Sequence, residues 1–348
     1  MIYAQFLKQD QIMHPKMTAK DAAEFSRISV QAIHQVLKKQ NLPFEKSQNR
    51  VYFGHETARA LFQLPFQFQV VTFQIVKGGT GKTSTAFNFA IRANLYGARV
   101  LCVDLDHQGN MTDFFKVDAN LHPVMVDVLA GDAKFKDGIT NVMPGLDLFA
   151  SRIDNSVIDS ELMLRKTNLK KVYRELFLSV KNNYDLIVVD CPPSLGHSVV
   201  AAALASDMII APVNPDQSAI KGLELTTREI QDVSAQNDVD IDVRVLFNKF
   251  DKRTSLSHGT LETLIKHKQF GKRLFSTYIS VSQELPNAVD KGITIFDSFR
   301  DSSAKTDIDL FVREALQLDS LRKGKASKKA APSKNTRKSS YTSSLPAR

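Results

Sequence analysis

The chain has 348 residues and is 43% hydrophobic, enough for one large α/β domain and a small companion. No apolar run approaches the ~18 residues of a membrane span, and the N-terminus lacks the basic start and apolar core of a secretory signal. The formal charge is +9, yet residues 322–348 hold nine Lys/Arg and no Asp or Glu, so the remainder is neutral.

Residues 17–64 read as a small helical module. Thr18 can cap a helix over residues 19–25, and Ser29 a second over residues 30–39, VQAIHQVLKK. Arg27 and Ile28 would turn the chain between them. Gln31, His34, Gln35 and Lys38 share the polar side of the second helix. Pro43 ends it, a strand at residues 50–53 is placed as a wing, and a third helix spans residues 56–64. The order resembles the winged helix-turn-helix of the MerR type. That resemblance implies DNA contacts from Gln31, Gln35 and Lys38. A plain helical cap has the same pattern, and both readings stand.

Residues 70–85, VVTFQIVKGGTGKTST, organise the rest. The apolar start suits a parallel strand buried on both faces. Gly78, Gly79 and Gly81 let the backbone turn and bring its N–H groups to an anion, with Lys77 and Thr80 among them. Lys82, Thr83 and Ser84 open a helix expected to run to Tyr96. Lys82 would reach the β- and γ-phosphates of a nucleotide, and the Thr83 hydroxyl would hold Mg2+.

A second buried strand, residues 99–105, leads to Asp104-Leu105-Asp106-His107-Gln108-Gly109-Asn110. Cys102 within it, and Cys191 later, read as buried reduced thiols of a cytoplasmic protein. A short helix (124–129), a strand (146–149) and one long helix (159–182) follow. The run YDLIVVDCPPS then delivers Asp190 at a strand's C-terminal end, where a carboxylate meets magnesium through water. Further strands at residues 208–213, 243–247 and 274–279 lead into PVNPD, NKFD and a helix at 283–291. A last helix covers residues 305–321. The tail after it is biased to Ser, Lys, Ala and Pro. It reads as disordered, either a DNA-contacting arm or a solubiliser.

The fold expected is α/β, a doubly wound, mostly parallel sheet. Its divisions are a module at residues 1–66, a nucleotide-binding domain at 67–320 and a tail at 321–348. KGGTGKT, DLDHQGN, YDLIVVDCPPS and PVNPDQSAIKGL together resemble the ParA/MinD superfamily of ATPases, over residues 68–318. The resemblance implies a deviant Walker A loop whose Lys77 crosses a dimer interface to the partner's nucleotide. It implies that Asp106 positions or activates the attacking water, and that His107 replaces the family's proline. Asn214 and Asn248 would flank the adenine, although capping of turns explains them as well.

Function follows from the same resemblance: an ATPase using ATP and Mg2+, dimeric on ATP, that segregates a plasmid or chromosome. Its partners would be non-specific DNA, a ParB-type centromere-binding protein and an operator of its own, on the nucleoid in the cytoplasm. A transcriptional regulator switched by ATP is the second reading. A MinD-like membrane ATPase is disfavoured, because the tail has no apolar face. The two cysteines disfavour an iron–sulfur relative or an amidoligase.

Overall fold

The computed structural model describes residues 13–323 except 48 and 217, so most of the basic tail lies outside the described residues. The chain opens with β1 (Met17–Thr18), α1 (Ala19–Ser26), α2 (Val30–Lys39), β2 (Glu45–Ser47), β3 (Arg50–Phe53) and α3 (His55–Phe62). Thr18 caps α1 in a capping box with Asp21, and the Ser29 hydroxyl accepts from Ala32 N–H to cap α2. Arg27 at φ 57° makes the turn between the helices. The three strands form a small antiparallel sheet in the order β1-β3-β2.

The larger layer contains β4 (Gln69–Phe73), α4 (Lys82–Leu95), β5 (Val100–Asp104), α5 (Asn110–Phe114) and α6 (Met125–Ala130). Next come β6 (Ile139–Met143), β7 (Leu146–Phe149), α7 (Ile158–Leu164), α8 (Val172–Ser179), β8 (Leu186–Asp190) and α9 (His197–Ala205). The chain continues through β9 (Met208–Val213), α10 (Ala219–Asn237), β10 (Asp242–Phe250), α11 (Ser255–Lys266), β11 (Leu274–Ser280), α12 (Glu284–Asp290) and α13 (Ser303–Ala315). Eight strands lie in the order β11-β10-β9-β4-β8-β5-β7-β6, all parallel except the edge strand β6. β4, β5 and β8 read as unbroken apolar runs because helices cover both faces of the sheet. On β4, Val71 and Phe73 pack towards α4 and α13, and Val70 packs towards α9 and β8's other face.

Two expectations are corrected. The helix predicted over residues 159–182 is two helices, α7 and α8. Lys166 takes φ 49° and the Asn168 side chain accepts from Lys170 N–H, an Asx turn that apolar periodicity does not reveal. The strand expected over residues 70–76 ends at Phe73; Gln74 N–H still bonds Ile210 O at 3.0 Å, and the chain bends from Val76 into the loop.

No break in packing separates the module from the large layer. Phe25 and Phe62 pack at a tilt against Tyr96 at the end of α4, with centroids 4.6 and 5.8 Å away. Arg59 bonds the Gly97 carbonyl at 2.6 Å and Asp185 at 2.7 Å. Gly97 itself has φ +92°, and an added Cβ would lie 2.5 Å from Arg59 Cα, so the junction admits only glycine there.

Beneath that junction sits a buried charge pair. Arg92 is 3% exposed and meets Asp309 at 2.6 Å, and the Tyr96 hydroxyl donates to the same carboxylate at 2.6 Å. Arg92→Met would leave Asp309 with Arg313 at 3.5 Å as its nearest cation. The expected loss is about 3–5 kcal/mol of unfolding free energy by denaturant titration, with most of it recovered when Asp309→Leu is added.

Candidate nucleotide site

The C-terminal ends of β4, β5, β8, β9 and β10 converge at the point where the strand order reverses about β4, which is where open α/β sheets bind ligands. The loop after β4 carries Gly79 at φ +73° and Gly81 at φ +88°. A Cβ on Gly78 or Gly79 would meet nothing within 4 Å, so both face open space. A Cβ on Gly81 would lie 2.5 Å from Asn248 Nδ2. Gly81 also serves as the N-cap of α4, whose free N–H groups and positive dipole end favour an anion.

Under this loop lies an unusual concentration of acid. Asp104, at the end of β5, is buried and fully bonded: it accepts from Asp106 N–H, Thr112 N–H and Thr112 Oγ1 at 3.1, 3.0 and 2.8 Å. Burial and neighbouring Asp190 push its pKa well up. Asp190, at the end of β8, is equally buried, yet among the described residues neither of its oxygens meets a donor in bonding geometry. Burial raises its pKa to about 7, with the Thr83 hydroxyl and the Lys82 ammonium offsetting part of that. An orphaned buried carboxylate costs free energy unless something supplies positive charge. Asp190 with Thr83 suits a small hard cation that takes oxygen ligands and keeps several waters.

Asp106 is 5% exposed, at the mouth of the same cleft. Gln108 N–H donates to its Oδ1 at 3.0 Å, which folds the loop over the carboxylate, and His107 Nδ1 stands 3.9 Å from that oxygen. His107 thus places a side chain beside the acid, while the hydrogen-bonded turn keeps the loop shaped.

Lys77 turns back into its own chain. Its Nζ meets Asp216 Oδ1 at 2.5 Å and Ser218 Oγ at 2.6 Å, between β9 and α10. Burial would raise the Asp216 pKa, but the hydrogen bonds from Lys77 and Ser218 outweigh it and hold it below the usual range. Asn214 and Asn248 also point inwards: their Nδ2 groups donate to Gly79 O at 3.0 Å and Thr80 O at 2.7 Å. Lys249 Nζ joins Asn214 on Gly79 O at 2.9 Å. In this arrangement both asparagines brace the loop.

Gln31, Gln35 and Lys38 lie far along the chain from this cleft, exposed together on α2, while Ile33 and Leu37 on its other side are buried. Sequence reasoning missed Thr112 and Lys249. Thr112 had a signal, eight residues after Asp104, but Lys249 reaches the loop only through a backbone at φ 54°.

A family described as an AAA domain matches residues 68–243. The chain is 31% identical over 250 residues to the sporulation initiation inhibitor protein Soj of Bacillus subtilis, covering 70% of this chain and 96% of Soj. The chromosome partitioning protein ParA of Caulobacter vibrioides is 30% identical over 208 residues, 58% of this chain and 77% of that one. The chain belongs to the ParA-type partition ATPases. Among solved structures, cobyrinic acid a,c-diamide synthase from Mycobacterium smegmatis, bound to an ATP analogue and magnesium, superposes with TM-score 0.63. It is 24% identical, with 72% of this chain and 94% of that one covered, so the likeness is one of fold. The doubly wound α/β sheet of this chain carries the strand–loop–helix that begins at β4. Among the described residues no helix is long and apolar enough to cross a membrane.

Proposed function

We propose that this ParA-type chain is a partition protein that binds ATP with Mg2+ through a deviant Walker A loop, dimerises on ATP, binds DNA without sequence preference and hydrolyses ATP when a ParB-type partner engages it. The observation that carries the nucleotide half is Asp190, buried beside Lys82 and Thr83 with neither oxygen in full bonding geometry among the described residues. Thr83 and Asp190 would hold magnesium, which would supply positive charge against the phosphates. The chain's own groups do the rest. The loop amides and Lys82 hold the phosphates, Gly78 to Ser84 wrap them, and Asp106 orients a water for in-line attack. Asn214 and Asn248 hold the loop, with the adenine passing beside them.

Lys77 is the group that would serve the partner's nucleotide. Bonded to Asp216 and Ser218, it is held within its own chain, and dimerisation must replace those bonds with phosphate. Lys77→Ala is expected to remain a folded monomer and to lose ATP-dependent dimerisation in sedimentation velocity. A full shift to dimer by this variant would remove Lys77 from the interface.

The exposed stripe Gln31, Gln35 and Lys38 supports a second activity, reading of an operator by α2 in the major groove. Each bidentate base contact discriminates by about 1–3 kcal/mol, so Gln31→Ala should relax operator preference roughly 5- to 150-fold while ATP turnover stays unchanged. Footprinting of the promoter region with both proteins checks it. Identical protection would reduce the module to a structural cap.

A further inference from the structure

The segment that follows β7 is tied to both catalytic loops and also faces outward with apolar side chains. Ser151 N–H donates to Thr112 Oγ1 at 2.9 Å, and Thr112 in turn holds Asp104. Gly109, which closes the Asp106 loop, approaches so near that an added Cβ would lie 2.9 Å from Ser151 O. Asn155 bridges Ser151 Oγ and Val126 N–H at 2.8 and 3.1 Å. Asp159, in the first turn of α7, accepts from Ser198 N–H at 2.7 Å and presses on Gly196, shortly after Asp190. A shift of this segment would therefore reach the Asp106 loop through Ser151, Thr112 and Asp104, and the segment after Asp190 through Asp159 and Ser198.

Its outer side is unusual for a surface. Ile158 and Leu162 are buried, but Ile153, Val157, Met163 and Leu164 are 65%, 48%, 58% and 73% exposed. Single exposed leucines are ordinary, whereas four large apolar groups within twelve residues mark a contact surface. Arg165, Lys166, Lys171 and Arg174 follow directly, all exposed. Arg165 pairs with Glu161 at 2.9 Å, and the other three have no ion pair among the described residues.

We propose that α7 and the turn after it form a docking surface for a protein segment with an apolar face flanked by Asp and Glu, and that occupancy of this surface changes ATP turnover through Ser151 and Asp159. The apolar centre with a charged rim matches the anatomy of protein interfaces. Nucleic acid does not repay four exposed aliphatic groups, because its interfaces are polar and dominated by phosphate contacts. A two-fold contact of this face with itself would set one basic rim against the other. The turnover half rests on the nucleotide reading above, and the binding half does not.

The probe is a labelled synthetic amphipathic helix of about 18 residues, Leu on one face and Glu on the other, with a Lys-for-Glu control. It is titrated into the full-length chain by fluorescence anisotropy. The wild type should bind the Glu peptide at least about tenfold more tightly than the control, and saturation should change ATP turnover. Met163→Ser and Leu164→Ser together should weaken binding about tenfold or more and abolish the turnover effect, with the melting temperature unchanged. That pair alters no charge, so capture of the peptide by the basic tail would not respond to it. Lys166→Glu with Lys171→Glu should weaken binding as well.

Equal affinity of the serine pair and the wild type overturns the proposal. So does a serine pair that loses ATP-dependent dimerisation or DNA binding while keeping the peptide, which would give the face to a second copy or to nucleic acid. Binding without any effect on turnover overturns the coupling through Ser151 and Asp159. A wild type that fails to bind ATP, with or without peptide, would instead count against the nucleotide reading, and the affinity comparison would stand.

Discussion

Asp106→Ala is expected to lower ATP turnover by roughly 10²–10⁴-fold, the range for losing a positioned acid–base group, while nucleotide affinity stays within a fewfold of wild type. The expectation comes from geometry. Asp106 sits at the mouth of the cleft and is 5% exposed, with Oδ1 held by Gln108 N–H and its other oxygen outside that bond. It contributes no bond to the phosphate loop, so its loss should spare binding. Steady-state phosphate release together with equilibrium binding of a fluorescent ATP analogue separates the two terms. Turnover equal to wild type would remove Asp106 from the chemistry. Conservation of the loop's shape should be checked in parallel, since the backbone bond from Gly109 N–H to Asp106 O, at 2.8 Å, survives the substitution.

Lys82→Ala should abolish nucleotide binding at the concentrations that saturate the wild type. Lys82 is only 7% exposed and is the cation that offsets the charge of buried Asp190. Removing one partner of a buried charged contact costs about 2–5 kcal/mol, or roughly 30- to 5,000-fold in affinity. The loss should appear in calorimetric titration with ATP and Mg2+. A wild-type affinity would show that the phosphates lie elsewhere. Unlike Asp106→Ala, this variant should also fail to dimerise, because no nucleotide is present to be shared.

Much of the molecule was legible in the chain itself. Repeating apolar runs marked β4, β5 and β8 as buried parallel strands, and the glycines and lysines between β4 and α4 marked a phosphate loop. Local chemistry suffices there, because a strand buried on both faces and a loop needing positive φ each demand particular residue types. Caps were equally legible: Thr18 and Ser29 both act as the helix starts that their side chains suggest.

Other features were hidden by the apolar pattern or by weak burial. The paired helices α7 and α8 part at Lys166 and Asn168, a local turn masked by a continuous apolar pattern. Edge strand β6 went unread because ITNVM buries little and pairs on one side only.

By itself the sequence determined the central strands β4, β5 and β8, the phosphate loop and the acidic residues placed at strand ends, since each is dictated by neighbours within a few positions. Only the tertiary structure decided that Asp104 is satisfied by Thr112 while Asp190 is not, although both end apolar strands with the same residue. It also decided that Lys77 turns to Asp216, 139 positions away, and that Asn214, Asn248 and Lys249 all serve the carbonyls of one loop. Hydrogen bonds and burial between distant segments are set by how the sheet orders its strands, and that ordering appears only when the chain is folded.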